Sequence, residues 1–222
     1  SSGYRENGYI PEAFINMLAL LGWNPGTTQE IFSMTELIEA FSIERISKSG
    51  AKFDAAKTKW FNQQYLRQTP SAILAKTFAE EIKSKGFDFE ETYIQSVCEL
   101  IKEKAQFQNE FWSLSSYFFE EPSAFDQDLV KKKWKDAVPA FMQSLLIDLQ
   151  NTNSFDAINL EATFKACAEK NGIGAGSVMQ IFRIAISGQA AGPAIFELTA
   201  LIGKDKITNR LKLAIDQFNA IV

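Results

Sequence analysis

The chain has 222 residues, 46% apolar and 23% charged, with a formal net charge of −4; this is an ordinary soluble composition with room for one large domain or two to three small ones, and no run reaches the roughly 18–20 apolar residues of a membrane span. Histidine is absent and cysteine occurs twice, at Cys98 and Cys167, which excludes Ser-His-Asp and Cys-His catalysis, imidazole acid–base work and nearly every zinc site. The N-terminus lacks the basic-then-apolar pattern of a signal peptide, and two distant thiols fit a reducing compartment as small buried apolar groups, so the cytoplasm is the expected location.

Helical signals follow one another along the chain. Pro11 suits a first helical turn, Phe14, Met17, Leu18 and Leu21 recur at three- and four-residue spacing, and Gly22 predicts the end. Ser33 with Glu36 reads as a capping box ahead of Leu37, Ile38 and Phe41. A loop over 47–52 contains Gly50, and Asp54 is placed to cap a helix carrying Trp60, Phe61 and Tyr65. Thr69-Pro70 predicts a new start, cap then first helical residue, for a helix running to Gly86. A helix over 87–105 follows, with Val97, Cys98, Leu100 and Ile101 inward. The aromatic-rich stretch 107–119 is broken by Glu120-Glu121-Pro122-Ser123. An amphipathic stretch over 125–149 is expected to be interrupted at Pro139, which lacks an N–H. The remaining helices are expected over 160–171, 176–186, 193–202 and 204–221, with glycines at 172, 188, 192 and 203 between them. No segment alternates with period two, so the expected fold is all-α, an array of about ten short helices without a sheet.

Charge is uneven. From Ser42 to Arg67 six cations face two carboxylates, a local charge of +4, and the stretch from Ala162 to Ile215 also carries +4. Solvated helix faces explain such windows as readily as a polyanion does. Ser47-Lys48-Ser49-Gly50 lacks the two glycines of a phosphate-binding P-loop, although Lys48, Lys52 and the loop's N–H groups could meet a phosphate backbone. Arg183 stands alone among apolar neighbours in 179–186. Such an arginine either snorkels or pairs, or is a guanidinium held for base or phosphate recognition. Lys131-Lys132-Lys133-Trp134-Lys135 reads as a solvated face with Trp134 inward, and Phe107, Phe111, Trp112, Tyr117, Phe118 and Phe119 as core. Nothing argues for general acid–base chemistry.

Several ordered phrases carry a resemblance. They are Gly8-Tyr9-Ile10-Pro11-Glu12-Ala13-Phe14, Leu18-Ala19-Leu20-Leu21-Gly22-Trp23, Glu30-Ile31-Phe32-Ser33 and Glu44-Arg45-Ile46-Ser47-Lys48-Ser49-Gly50-Ala51-Lys52-Phe53-Asp54. Further on come Lys59-Trp60-Phe61-Asn62, Tyr65-Leu66-Arg67, Arg183-Ile184-Ala185-Ile186-Ser187-Gly188 and Gly192-Pro193-Ala194-Ile195-Phe196-Glu197. Taken in order, the chain resembles the C-terminal half of bacterial glutamyl-tRNA synthetase. The resemblance implies that a catalytic domain holding His-Ile-Gly-His and Lys-Met-Ser-Lys-Ser elements, glutamate, ATP and magnesium lies upstream, so no catalytic residue, cofactor or metal is expected on this chain. It implies a stem-contact region over 1–68 and two helical anticodon-binding modules over 69–122 and 123–222. The family's base-contacting arginine matches Arg183, and its anticodon-packing apolar residue matches Ile195. The position that reads the third anticodon base corresponds to Lys104, and a lysine lacks the arginine's planar fork. Arg45, Lys48, Ser49, Lys52 and Arg67 are the candidates for tRNA stem and backbone contact. The implied partner is tRNA(Glu), without a membrane, in a parent enzyme that is monomeric. The rival reading is a helical protein-interaction module with no nucleic-acid role. A small-molecule enzyme with a pocket among the aromatic helices is a weaker third.

Overall fold

The computed structural model describes residues 3–48 and 50–222. Among these residues it contains twelve α-helices and no strand, so the fold is all-α. The chain divides into two compact units, Ser1–Leu114 and Ser115–Val222.

The first unit carries α1 (Pro11–Gly22), α2 (Met34–Ala40), α3 (Ala55–Gln68), α4 (Ser71–Ser84), α5 (Glu91–Ile101) and the start of α6 (Phe111–Ser115). Helix α1 packs on α3 and α2, and α4 pairs with α5 across a turn at Gly86, whose φ of 88° requires glycine. Phe61, Phe78, Ile82, Ile94, Ile101 and Phe111 are fully buried here. The Ser33–Glu36 capping box and the Asp54 cap form as the sequence predicts. Thr69 instead closes α3, its Oγ1 donating to the Tyr65 carbonyl at 2.8 Å, and Pro70 takes the N-cap of α4. In α1 the inward face is Ala13, Asn16 and Met17, while Leu18 is 47% exposed.

Two buried asparagines stitch this unit together. Asn16 donates to the Glu30 carbonyl at 3.0 Å and accepts from the Phe32 N–H at 2.8 Å. Asn62 accepts from the Ile10 N–H at 2.8 Å and donates to the Gln106 carbonyl at 2.6 Å. Each amide satisfies main-chain groups that no helix ladder could reach.

The second unit holds α7 (Gln127–Lys133), α8 (Val138–Asn151), α9 (Ala157–Lys170), α10 (Ala175–Ser187), α11 (Ile195–Ile202) and α12 (Lys204–Ile221). Helix α8 packs on α9 and α12, α11 on α9, and α10 on α12. Phe164 is the hub, with Phe141, Phe182 and Phe196 rings centred 5.3, 5.2 and 5.5 Å away. Pro139 does not interrupt a helix. It sits in the first turn of α8, where its missing N–H costs nothing, and the break falls just before it, where Asp136 adopts a left-handed φ of 54°. Trp134 turns inward as expected, its Nε1 donating to Asn219 Oδ1 at 2.9 Å, and Lys131, Lys132 and Lys135 are exposed. Both cysteines are free and buried.

Candidate nucleic-acid interface

The basic loop of the first unit is anchored on the end of α1. The Ser47 N–H donates to the Gly22 carbonyl at 2.7 Å, the Asn24 N–H to the Arg45 carbonyl at 3.2 Å, and Trp23 and Ile46 form an isolated bridge. Lys48 therefore leaves from a fixed root. Arg45 is exposed, and its Nη1 donates to the Pro25 carbonyl, folding the guanidinium over the tight turn at Gly26. Arg67 is held by Glu103, at 3.2 Å between Nε and Oε2, and Nη2 also donates to the Glu103 carbonyl at 2.8 Å. Lys57 pairs with Glu30 at 2.5 Å. Lys48, Lys52 and Lys59 are exposed and form no ion pair among the described residues. Ser49 lies outside the described residues. Lys52 also lines a cavity of about 380 Å³ with Leu20, Gly50, Asp54 and Lys57.

Lys104 is exposed in the turn after α5. Its neighbours are committed elsewhere. Lys102 is buried and pairs with Glu99 at 2.9 Å, and the Ser71 hydroxyl on that same carboxylate holds its pKa below the ordinary range. Glu103 holds Arg67. Lys104 is thus the cation at this turn that is open to a ligand.

In the second unit Arg183 projects from the last turns of α10, flanked by buried Phe182 and Ile184. The guanidinium is half-buried, and burial pushes its pKa down. It stays a cation, as guanidinium groups in proteins do. No carboxylate pairs with it among the described residues, and its Nη1 is sealed from solvent without a hydrogen-bond partner. Gly188 ends the helix in the left-handed region at a φ of 71°, bringing the 189–192 segment back over the arginine. A Cβ on Gly192 would lie 3.0 Å from Nη1, so any larger residue there would press on the guanidinium. Gly176, by contrast, is a helical residue with open space beside it. Ile195 opens α11 and is 6% exposed, which leaves Ala194 and the half-buried Phe196 as its more accessible neighbours.

Two residues of this site are not singled out by the sequence reasoning. The Tyr117 hydroxyl shares the space beside Gly192 with Arg183 Nη1 and is likewise buried without a hydrogen bond. Arg210, 3% exposed, reaches from α12 and donates through Nη1 to the Tyr117 and Ile186 carbonyls at 2.7 and 2.9 Å, and through Nη2 to the Glu120 carbonyl at 3.1 Å. A signal for it does exist: Ile207, Arg210, Leu211, Ala214, Ile215 and Phe218 form one helical stripe, with an arginine at an inward position. The second basic window is therefore only partly a surface charge. Arg210 is core, Lys204 donates to the Thr152 carbonyl at 2.9 Å, and Lys165 pairs with Glu161 at 2.5 Å.

Comparison with known proteins places these segments in families. Residues 62–215 match the family described as anticodon binding domain, and residues 1–60 match that of the catalytic domain of class I (E and Q) tRNA synthetases. A glutamate–tRNA ligase from Flavobacterium johnsoniae is 46% identical over 215 residues, covering 97% of this chain and 43% of that protein. The enzyme from Porphyromonas gingivalis is 40% identical over 216 residues with the same coverage. The crystal structure of a glutamate–tRNA ligase from Elizabethkingia meningosepticum with its amino acid superposes with a TM-score of 0.88 at 35% identity, covering 98% of this chain and 43% of that one. The chain spans less than half the length of these relatives and matches their C-terminal part. Both Arg183 and Lys104 fall within the larger match, which takes in most of the sequence: the chain belongs to the anticodon-binding domain family.

Proposed function

We propose that this chain is the tRNA-binding portion of a glutamate–tRNA ligase, which grips tRNA(Glu) along its stem and reads its anticodon. The observation that carries this is Arg183: a half-buried guanidinium with no carboxylate to neutralise it among the described residues, approached by the main chain at Gly192. Splayed single-stranded bases are read by planar guanidinium groups and apolar packing. The half-buried Phe196 supplies apolar surface on the following helix, with Ile195 packed behind it, and Lys104 adds charge in the other unit. Lys48 and Lys52 contribute phosphate contacts, which fix position and carry no sequence information. In this reading residues 1–68 serve the stem, and 69–122 and 123–222 serve the anticodon. No helix is long and apolar enough to cross a membrane, and a translation enzyme of this kind works in the cytoplasm. No group on this chain is assigned to ATP or magnesium, and it is expected to form no glutamyl-adenylate.

The test is binding of a tRNA(Glu) transcript across a salt series. Affinity should fall steeply with salt through counterion release. Replacing both Lys48 and Lys52 with alanine should reduce the magnitude of the log–log slope by roughly 1–2 and weaken all transcripts alike. Arg183→Ala should instead cost about 1–3 kcal/mol of discrimination between anticodon variants, with little change of slope. Binding indifferent to salt and anticodon would favour a protein-interaction module.

A further inference from the structure

Tyr117 and Arg183 come from distant parts of the second unit, yet one terminal atom of each ends in the same small space. A Cβ added to Gly192 would meet Arg183 Nη1 at 3.0 Å and the Tyr117 hydroxyl oxygen at 3.4 Å. Both atoms are shut off from water, and neither has a hydrogen-bond partner among the described residues. A buried N–H donor and a buried hydroxyl acceptor that border the same point are complementary. Nature rarely leaves such groups unmatched, because a buried polar group without a partner forfeits its hydration.

The tyrosine's position is itself fixed. Tyr117 is 2% exposed and its ring lies 4.8 Å from that of Phe118. Its carbonyl accepts from Arg210 Nη1, the same nitrogen that holds the Ile186 carbonyl at the end of the Arg183 helix. One buried guanidinium therefore ties the tyrosine's backbone to the turn of α10 that follows Arg183. Burial pushes the phenol's pKa up, so it remains a neutral hydroxyl at physiological pH. Nη1 is sealed although the Arg183 side chain as a whole is only partly buried, so solvent reaches the residue elsewhere.

We propose that Tyr117 is a positioning residue for anticodon recognition: its hydroxyl oxygen accepts a hydrogen bond from Arg183 Nη1 when RNA is bound, fixing the plane in which Nε and Nη2 meet a base. Gly192 keeps the space in which the two atoms meet. This rests on Arg183 being the base-reading arginine.

The experiment is a double-mutant cycle on the 222-residue chain, using tRNA(Glu) transcripts with single anticodon substitutions. Tyr117→Phe keeps the ring and removes only the oxygen. It should lower affinity for the unsubstituted transcript about tenfold, the scale of one hydrogen bond to a charged group, and flatten discrimination while leaving the salt slope unchanged. In an Arg183→Ala background it should have no further effect. Additive losses would show that Tyr117 acts independently of Arg183, and an unaltered Tyr117→Phe beside a defective Arg183→Ala would also overturn the proposal while leaving Arg183 as the reader. If Arg183→Ala itself leaves discrimination intact, the base-reading role falls and this inference with it. Should Tyr117→Phe fail to fold, Gly192→Ala replaces it, since Gly192 is not in the left-handed region and its new Cβ would intrude on the space that Nη1 and the Tyr117 hydroxyl share; discrimination at the parental level would then count against the proposal.

Discussion

The two units solve the same problem, anchoring irregular backbone in an all-helical fold, with different side chains. The first uses neutral amides: Asn16 and Asn62 bridge segments through one donor and one acceptor each. Its available cations, Lys48, Lys52, Lys59 and Lys104, stay on the surface. The second places guanidinium groups inside, with Arg210 gripping three carbonyls and Arg183 half-buried beneath the 189–192 segment. An exposed lysine is a mobile point charge, suited to a phosphate wherever it lies, whereas an embedded guanidinium has a fixed plane and edge. On the function proposed above, the contrast corresponds to a division between holding RNA and reading it.

The sharpest way to break the contrast is Arg210→Ala. It removes three hydrogen bonds to main-chain carbonyls and empties space in the core, so a loss of about 3 kcal/mol is expected in chemical denaturation, with loss of anticodon discrimination alongside. A loss below about 1 kcal/mol would mean that the arginine anchors nothing. Asn62→Ala should cost about 2 kcal/mol, because the Ile10 N–H and Gln106 carbonyl lose their shared partner, and should spare discrimination. If it abolished base reading as well, the units would not be separable in function.

The smallest effect uses the two thiols, one in each unit. Burial holds the Cys98 thiol's pKa up, to about 12 against an ordinary 9, and raises that of Cys167. A raised thiol pKa means the folded state keeps its proton after the unfolded chain has lost it. Cys98 should therefore resist a thiol reagent at pH 8, and its contribution to stability should decline only as the pH climbs from about 9 towards 12. Labelling rates compared at the two cysteines then report which unit opens first.

Much of this architecture was legible because its punctuation is local. Gly22, the Ser33–Glu36 box, Asp54 and the Lys204–Ile221 helix are all found where short-range rules put them. Pro139 and Thr69-Pro70 show the limit. A proline in the first turn and one within a helix look alike until the preceding backbone is known, and Thr69 chose to close one helix rather than open the next. The aromatic stretch 107–119 forms 3₁₀ turns around the short α6, shaped by packing rather than by periodicity. At the site, Arg183 stood out by its apolar neighbours. Tyr117 did not, because pairing a residue at 117 with one at 183 requires the tertiary fold. Equally, no window of charge could reveal that Arg45 and Arg67 are already committed to partners within the first unit.

The Asn62 bridge has a practical corollary. Because its amide links Ile10 to Gln106, any attempt to express α1–α3 alone would strand that side chain, however inviting the proline turn looks as a place to cut. Excision after Leu114, where the compact unit ends, keeps both ends of the amide supplied. Shorter truncations made there should stay soluble, whereas those made at the proline should aggregate.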